Sequence, residues 1–301
     1  METPENIQKL YRHWEYHTRE PIWNHKNSVS PELKQVIAFA NERMKIWQKK
    51  IRGENLPYTS DPILRDYRFC NIYRELDKQT IEIHKLLNPL RDNFVLWLLN
   101  LAFTRFLCNT ETFKKVGLLD FDQEDNLKAY NALLNLPAPK YGSAYVFPIS
   151  VIQRSKFNTR EKFLTLYLPM IMTQVASEIQ NLENSGVVEA LEIVLPVFGF
   201  NFKFHWTEIL IDVAYQFPEK INLFKRFHIG PGSIPTMKIL SDENPEDTLM
   251  QLVSTKLDNF SYLEYKGKTV WLSAENWEGM GCEFRKYSNL KNGEGRKRLY
   301  K

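Results

Sequence analysis

Glycine and proline are scarce in this chain, at 12 and 15 of 301 residues, and that scarcity argues against a turn-rich β-sandwich. Cysteine is scarcer still. Cys70, Cys108 and Cys282 are odd in number and at no metal-ligand spacing, which excludes a disulfide framework and a cysteine zinc site and implies a reducing, cytoplasmic setting. No stretch approaches ~18 uninterrupted apolar residues and the first 23 residues carry charges throughout, so neither a membrane span nor a signal peptide is expected. No Gly-x-x-x-x-Gly-Lys-Ser/Thr occurs, which speaks against a P-loop kinase. Internal repeats and low-complexity tracts are absent as well. What the chain does have is apolar mass: 43% hydrophobic and 13% aromatic content, enough to bury a core and best suited to long helices joined by short loops. A net charge of +4 allows a polyanionic partner without demanding one.

The expected fold is mainly α, multi-helical, with at most a few short strands. Ile7, Leu10, Tyr11 and Trp14 repeat at helical spacing and suggest a docking helix within an N-terminal extension, residues 1–60. Ser30-Pro31 starts a helix running to about Gly53, with Val36, Phe39, Ala40, Met44 and Trp47 on one face. Asp61-Pro62 starts another, predicted to continue towards Leu87. Residues 91–109 are apolar almost all round and describe a buried central helix interrupted by Asn100, Arg105 and Asn109. A buried arginine must be paired or face a polar cavity, so Arg105 is either a carboxylate's internal partner or part of a site. Residues 136–142 form a connector and 144–152 a short strand or extended segment. Thr159 then caps a long helix through about Asn184, with Gly186 its stop. Residues 61–301 read as one helical domain, or as two lobes dividing near 140–155.

Three stretches are dense in functional side chains. The first is residues 65–77, Arg65-Asp-Tyr67-Arg68-Phe-Cys-Asn71-Ile72-Tyr73-Arg74-Glu-Leu76-Asp77. Leu64, Tyr67, Ile72 and Leu76 could be its buried stripe, and the rest is either an ion-paired exposed face or an anion site. The second spans residues 195–238. Gly199 separates two helical patterns as in a helix-hairpin-helix unit, Glu208 and Asp212 share a helical face, and His228-Ile-Gly230-Pro231-Gly232-Ser233 followed by Lys238 is an anion-binding loop or a plain turn. The third combines Glu283, Lys286 and Tyr287 at i, i+3 and i+4 with the basic cluster Arg296, Lys297 and Arg298, which is either a phosphate contact or a solvated tail.

Together, Arg65-x-x-Arg68-Phe-Cys-Asn71-x-x-Arg74-Glu-x-Asp77, the Asn100/Arg105/Asn109 helix with Glu111-Thr-Phe after it, Gly230-Pro-Gly232 and Cys282-Glu283-Phe-x-Lys286-Tyr287 resemble the α-glutamyl/putrescinyl thymine pyrophosphorylase family. That group of amino acid:DNA transferases includes the helical domain associated with phage 5-hydroxymethyluracil DNA kinases. The resemblance runs from about Asp61 to Tyr300 and leaves residues 1–60 unmatched. It implies a helical fold related to helix-hairpin-helix DNA glycosylases, although the second glycine of such a hairpin is missing near Asn201, and bulky Phe200, His205 and Trp206 occupy the region.

The implied activity is thymidine hypermodification of phage DNA. A 5-hydroxymethyluracil kinase first pyrophosphorylates the base, and the transferase then replaces pyrophosphate with the amine of an amino acid or polyamine. On this reading Arg65, Arg68, Arg74 and Arg105, with Lys286, hold pyrophosphate. Asn71 reads the uracil, and Tyr67, Tyr73 and Tyr287 stack on a flipped base. Glu283 is the base, with Asp77 or Asp212 behind it. Gly199, Gly230, Pro231, Gly232, Ser233, Lys238, Arg296, Lys297 and Arg298 contact DNA. No cofactor is required, with Mg²⁺ on the pyrophosphate a compatible addition. The alternatives are a non-catalytic DNA-binding module accompanying such a kinase and a base-excising glycosylase using Asp212.

Overall fold

The computed structural model describes residues 3–16, 20–24, 30–257 and 260–295, and they are mainly α-helical. They divide into two compact units: Met1–Gln8, Trp14–Asp77 and Leu223–Lys301 form the first, and Lys9–His13 with Lys78–Asn222 form the second. The boundaries therefore fall at 8/9, 13/14, 77/78 and 222/223. The connector near 140–155 lies inside the second unit, because its backbone is bonded into it: Gly142 N donates to Leu107 O at 3.0 Å and Thr112 Oγ1 to Lys140 O at 2.7 Å.

The first leg begins with two single turns, α1 (Glu5–Gln8) and α2 (His13–Tyr16), where one docking helix was expected; Ile7 and Trp14 are nonetheless buried. After β1 (Trp23–Asn24) comes α3 (Pro31–Ile51), capped by Ser30, whose hydroxyl accepts from Leu33 N at 3.1 Å. Its apolar stripe Val36, Phe39, Ala40, Met44 and Trp47 is buried as the periodicity predicts. Asp61 caps α4 (Pro62–Asp66) by accepting from Ile63 N at 2.8 Å and Leu64 N at 3.0 Å. The expected continuous helix to Leu87 does not form. Tyr67 is extended, a 3₁₀ turn covers Arg74–Leu76, and helix resumes only in the second unit.

That unit holds α5 (Lys78–Leu87), α6 (Phe94–Leu107), α7 (Thr110–Val116) and α8 (Gln123–Asn135), then an irregular segment with a 3₁₀ turn at Ile149–Val151, where a short strand or extended segment was expected. The run α9 (Arg160–Lys162), a π turn (Phe163–Tyr167) and α10 (Leu168–Gln180) forms the long helix begun by Thr159. Then follow α11 (Val187–Phe198) and α12 (Lys203–Gln216). Helix α6 is buried from Trp97 to Leu107 and packs against α5, α10 and α12.

The chain re-enters the first unit and forms α13 (Ile234–Leu240), α14 (Pro245–Val253) and β2 (Thr255–Lys256), which pairs parallel with β1. A hairpin of β3 (Leu263–Tyr265) and β4 (Lys268–Val270) turns through Lys266 and Gly267, both left-handed at φ 49° and 73°, the backbone that suits a two-residue hairpin. Last comes α15 (Ala274–Lys291), opened by a reciprocal Ser273/Asn276 capping box. It packs on α3, α4, α13 and α14 and so forms the spine of this unit. Among the described residues no helix is long and apolar enough to cross a membrane.

Candidate functional site

The first unit brings the arginine-rich stretch against α15, and the contact explains why the stretch is not helical. Within loop 68–71 the backbone polar groups are bound by charged side chains in place of helical partners. Lys286 donates to Arg68 O, and Arg43 Nη2 donates to Phe69 O at 3.0 Å and to Cys70 O at 3.2 Å. Glu283 Oε2 accepts from Cys70 N at 3.1 Å, and Asp77 Oδ1 accepts from Asn71 N at 2.8 Å. Charge-assisted bonds of this kind are about twice as strong as neutral ones, so five of them outcompete a helical ladder in so short a segment. The Phe69 ring lies beneath two of the same cations, with Lys286 Nζ 4.5 Å and Arg43 Cζ 5.7 Å from its centroid.

Helix α15 places Glu283, Lys286 and Tyr287 on one face, as their spacing predicts. Tyr287 Oη donates to Asp61 Oδ2 at 2.6 Å, which ties α15 to the cap of α4, and its ring packs 5.2 Å from Phe39. Burial and the bond to Asp61 push the Tyr287 hydroxyl up to about 12. Lys286 also lies 3.4 Å from Glu283 Oε2. Burial raises the Asp77 carboxyl to about 6, opposed by the Asn71 amide and the Arg74 charge and assisted by the charge of Glu283.

The Gly230-Pro231-Gly232 loop also meets α15, but on the face of Glu278, Cys282 and Arg285, about a third of a helical turn from the Glu283 face. Glu278 Oε1 accepts from Gly230 N at 3.0 Å and Arg285 donates to Pro231 O at 2.8 Å. A carboxylate thus already occupies the loop's amide, where a phosphate would be repelled. The glycines serve close packing instead: a Cβ on Gly232 would fall 2.5 Å from Cys282 Sγ, and one on Gly281 2.2 Å from Ser233 Oγ. Ser233 is buried by that contact and its hydroxyl does not cap α13. Lys238 is exposed on α13, and Arg296, Lys297 and Arg298 lie outside the described residues.

The three motif arginines separate into different roles. Arg65 is paired with its neighbour Asp66 at 2.7 Å, Arg74 is half-buried, and Arg68 is exposed with no side-chain hydrogen bond or ion pair among the described residues. The Asn71 side chain donates to Leu76 O at 2.9 Å and shapes the turn. Tyr73 is fully buried, its hydroxyl donating to Val270 O at 2.7 Å, so it cannot stack on a base.

In the second unit, Arg105 and Asp212 satisfy each other. Arg105 Nη2 donates to Asp212 Oδ1 at 2.7 Å and its Nε to Oδ2, while His84 Nε2 lies 3.0 Å from Oδ1. Gln216 Nε2 lies 2.9 Å from His84 Nδ1 and donates to Leu10 O at 2.7 Å. Arg105, Asp212, His84 and Gln216 are each at most 4% exposed, which makes Asp212 a structural partner for a buried charge. Gly199 ends α11 in the left-handed conformation, φ 77°, and α12 starts at Lys203. Aromatic rings fill the corner between them: His205 stacks 4.7 Å from Phe106, and burial lowers its imidazole to about 4. Glu208 accepts from the Tyr145 hydroxyl, so the proposed acidic face is divided between a surface bond and the buried pair.

Residues 30–297 match the model of the family described as "5-hmdU DNA kinase, helical domain". The chain belongs to this family. The 5-hmdU DNA kinase of Bacillus phage SP10 is 32% identical over 118 residues, which cover 36% of this chain and 18% of that protein. The chain therefore spans under a fifth of the length of that relative. No solved structure matches it. The family match covers the kinase-associated helical domain and does not extend by name to the pyrophosphorylase group or to helix-hairpin-helix glycosylases.

In this helical-domain family member the residue missed in the sequence is Arg43. It sits one turn beyond Phe39 on a helix read as scaffold, and it is 7% exposed. The available signal was a lone arginine inside an apolar stripe, the same signal that singled out Arg105.

Proposed function

We propose that the chain acts on phage-type DNA in thymidine hypermodification, replacing the pyrophosphate of 5-pyrophosphorylmethyl-deoxyuridine with the amine of an amino acid or polyamine. Membership of the 5-hmdU DNA kinase helical-domain family supports the DNA and base context. The single observation that carries the transfer reading is the meeting of loop 68–71 with α15, which brings the backbone of exposed Arg68 to the Lys286 ammonium and the nearby Cys70 amide to the Glu283 carboxylate.

In this reading the bond from the 5-methylene carbon to the pyrophosphate oxygen breaks and a carbon–nitrogen bond forms. Arg68, able to grip phosphate bidentately, and Lys286 take up the charge that develops on the leaving oxygens. Glu283 receives the proton that the ammonium nucleophile must lose. Asp77, raised to about 6 by burial, is the reserve base. Among the described residues no group of three or more His, Cys, Asp or Glu could hold a metal ion, so Mg²⁺ would arrive on the pyrophosphate. Pyrophosphorylation itself is assigned to a separate kinase, since the chain carries no P-loop motif.

A second reading, a DNA-binding module without chemistry, is favoured by one observation: Glu283, Lys286 and Asp77 already bind loop backbone. The glycosylase reading loses its carboxylate to the Arg105 pair. One experiment separates them. DNA containing 5-pyrophosphorylmethyl-deoxyuridine is incubated with the protein and a pool of amino acids and polyamines, digested and analysed by nucleoside mass spectrometry. An aminated thymidine supports transfer, retention of DNA with unchanged nucleosides supports the module, and abasic sites would indicate excision.

A further inference from the structure

Arg68 is exposed and its side chain makes no hydrogen bond or ion pair among the described residues, yet its backbone belongs to a loop tethered by four charged side chains. Three consecutive carbonyls, of Arg68, Phe69 and Cys70, accept from Lys286 and Arg43, and the next two amides are taken by Glu283 and Asp77. These tethers come from three directions: α3, α15 and the residue that precedes α5. Three of the four tethering side chains, Glu283, Lys286 and Asp77, belong to the proposed chemistry. Arg43 does not: its Nη2 binds two carbonyls, its guanidinium lies over the Phe69 ring, and it is almost wholly enclosed.

We infer that Arg43 is a positioning residue that sets the specificity of this site, holding loop 68–71 in the conformation that presents Arg68 to the phosphate group on the base. The inference rests on the proposed reading that phosphorylated DNA binds at this loop. Its physical basis is preorganisation. A bidentate arginine contact loses most of its advantage if the backbone beneath it must be ordered when the ligand arrives. Lysine cannot substitute fully at position 43: one guanidinium nitrogen, Nη2, reaches both carbonyls while the rest of the planar group lies over the Phe69 ring, and a single ammonium cannot occupy both places. Phe39, one turn before Arg43, packs 5.9 Å from Phe69, so α3 supports the ring and binds the loop's carbonyls from one surface.

The test measures binding of two fluorescent oligonucleotides, one carrying 5-pyrophosphorylmethyl-deoxyuridine and one with thymidine at the same position. Wild type, Arg43→Lys, Arg68→Gln and the double variant are compared by anisotropy, with thermal unfolding as the control for folding. Wild type is expected to prefer the pyrophosphorylated strand. Arg43→Lys, which keeps a buried cation and a transition close to wild type, should lose about tenfold of that preference, taken as the ratio of the two affinities, as Arg68→Gln does. The double variant should lose little more than either single one, because both act through the same contact. A full preference in Arg43→Lys, or losses that add in the double variant, would overturn the positioning role. Absence of any preference in wild type would instead overturn the phosphorylated-DNA reading, and this inference with it.

Discussion

Glu283 accepts a hydrogen bond from the Cys70 amide at 3.1 Å although 213 residues separate them. That bond makes the carboxylate part of the loop's architecture as well as a candidate base. Truncating it exchanges the carboxylate for water at an exposed backbone donor, so Glu283→Ala should cost ~0.5–1.5 kcal/mol in urea unfolding. Glu283→Gln keeps an acceptor and should be closer to wild type in stability, while both variants lose amine transfer. Equal stability of Glu283→Ala and wild type would show that the tether contributes nothing.

Asp77 gives the first unit a pH dependence of defined sign. Burial raises its folded-state value to about 6 from an ordinary 3.8, so the folded protein holds this proton more tightly than the unfolded chain. Stability from this group is therefore fully present below about pH 4 and is lost as pH rises through about 6, by up to ~3 kcal/mol. Asp77→Asn retains an acceptor for the Asn71 amide and lacks the titration. Unfolding free energies of the two proteins from pH 4 to 8 should diverge in favour of the variant, and parallel curves would contradict the assignment.

Asp212 is predicted to matter for folding rather than for chemistry. Its removal leaves Arg105 buried and uncompensated, so Asp212→Ala should cost ~3–5 kcal/mol. A catalytic carboxylate would behave differently: the variant would unfold like wild type and only activity would fall. Chemical denaturation followed by far-UV circular dichroism makes the distinction.

Gly281 marks the closest approach of α15 to the Gly230-Pro231-Gly232 loop. Gly281→Ala should destabilise by ~1–3 kcal/mol through the clash with Ser233 Oγ. That hydroxyl is buried without a hydrogen-bond partner among the described residues, so Ser233→Ala alone should be nearly neutral. Combined with Gly281→Ala it should recover part of the loss. No recovery in the double variant, measured by thermal unfolding, would place the clash elsewhere.

Much of the helical plan was legible because it is written in local chemistry. Ser30-Pro31 and Asp61-Pro62 start helices where their side chains cap the first turn, and the all-apolar run before Cys108 is the buried α6. The stretch at 65–77 was misread for the opposite reason. Its apolar spacing fits a helix, but the groups that hold it extended are Arg43, Glu283 and Lys286, and only the last two were suspected of belonging near it. The role of Gly230 and Gly232 was equally hidden, because glycine next to proline signals a turn whether it faces a phosphate or a helix. The spacing of Glu208 and Asp212 correctly placed both on α12, yet helical position could not say which carboxylate would be enclosed with an arginine. The unit boundaries escaped the sequence because no change of composition accompanies them.

The most direct measurement is the conversion rate of 5-pyrophosphorylmethyl-deoxyuridine in DNA, followed by nucleoside mass spectrometry with wild type and Arg68→Ala side by side. The account predicts an aminated thymidine with wild type and a loss of about a hundredfold or more with the variant, whose fold is unchanged because the side chain is exposed and makes no hydrogen bond or ion pair among the described residues. Equal rates for the two proteins, or no product from wild type with any amine supplied, would contradict it.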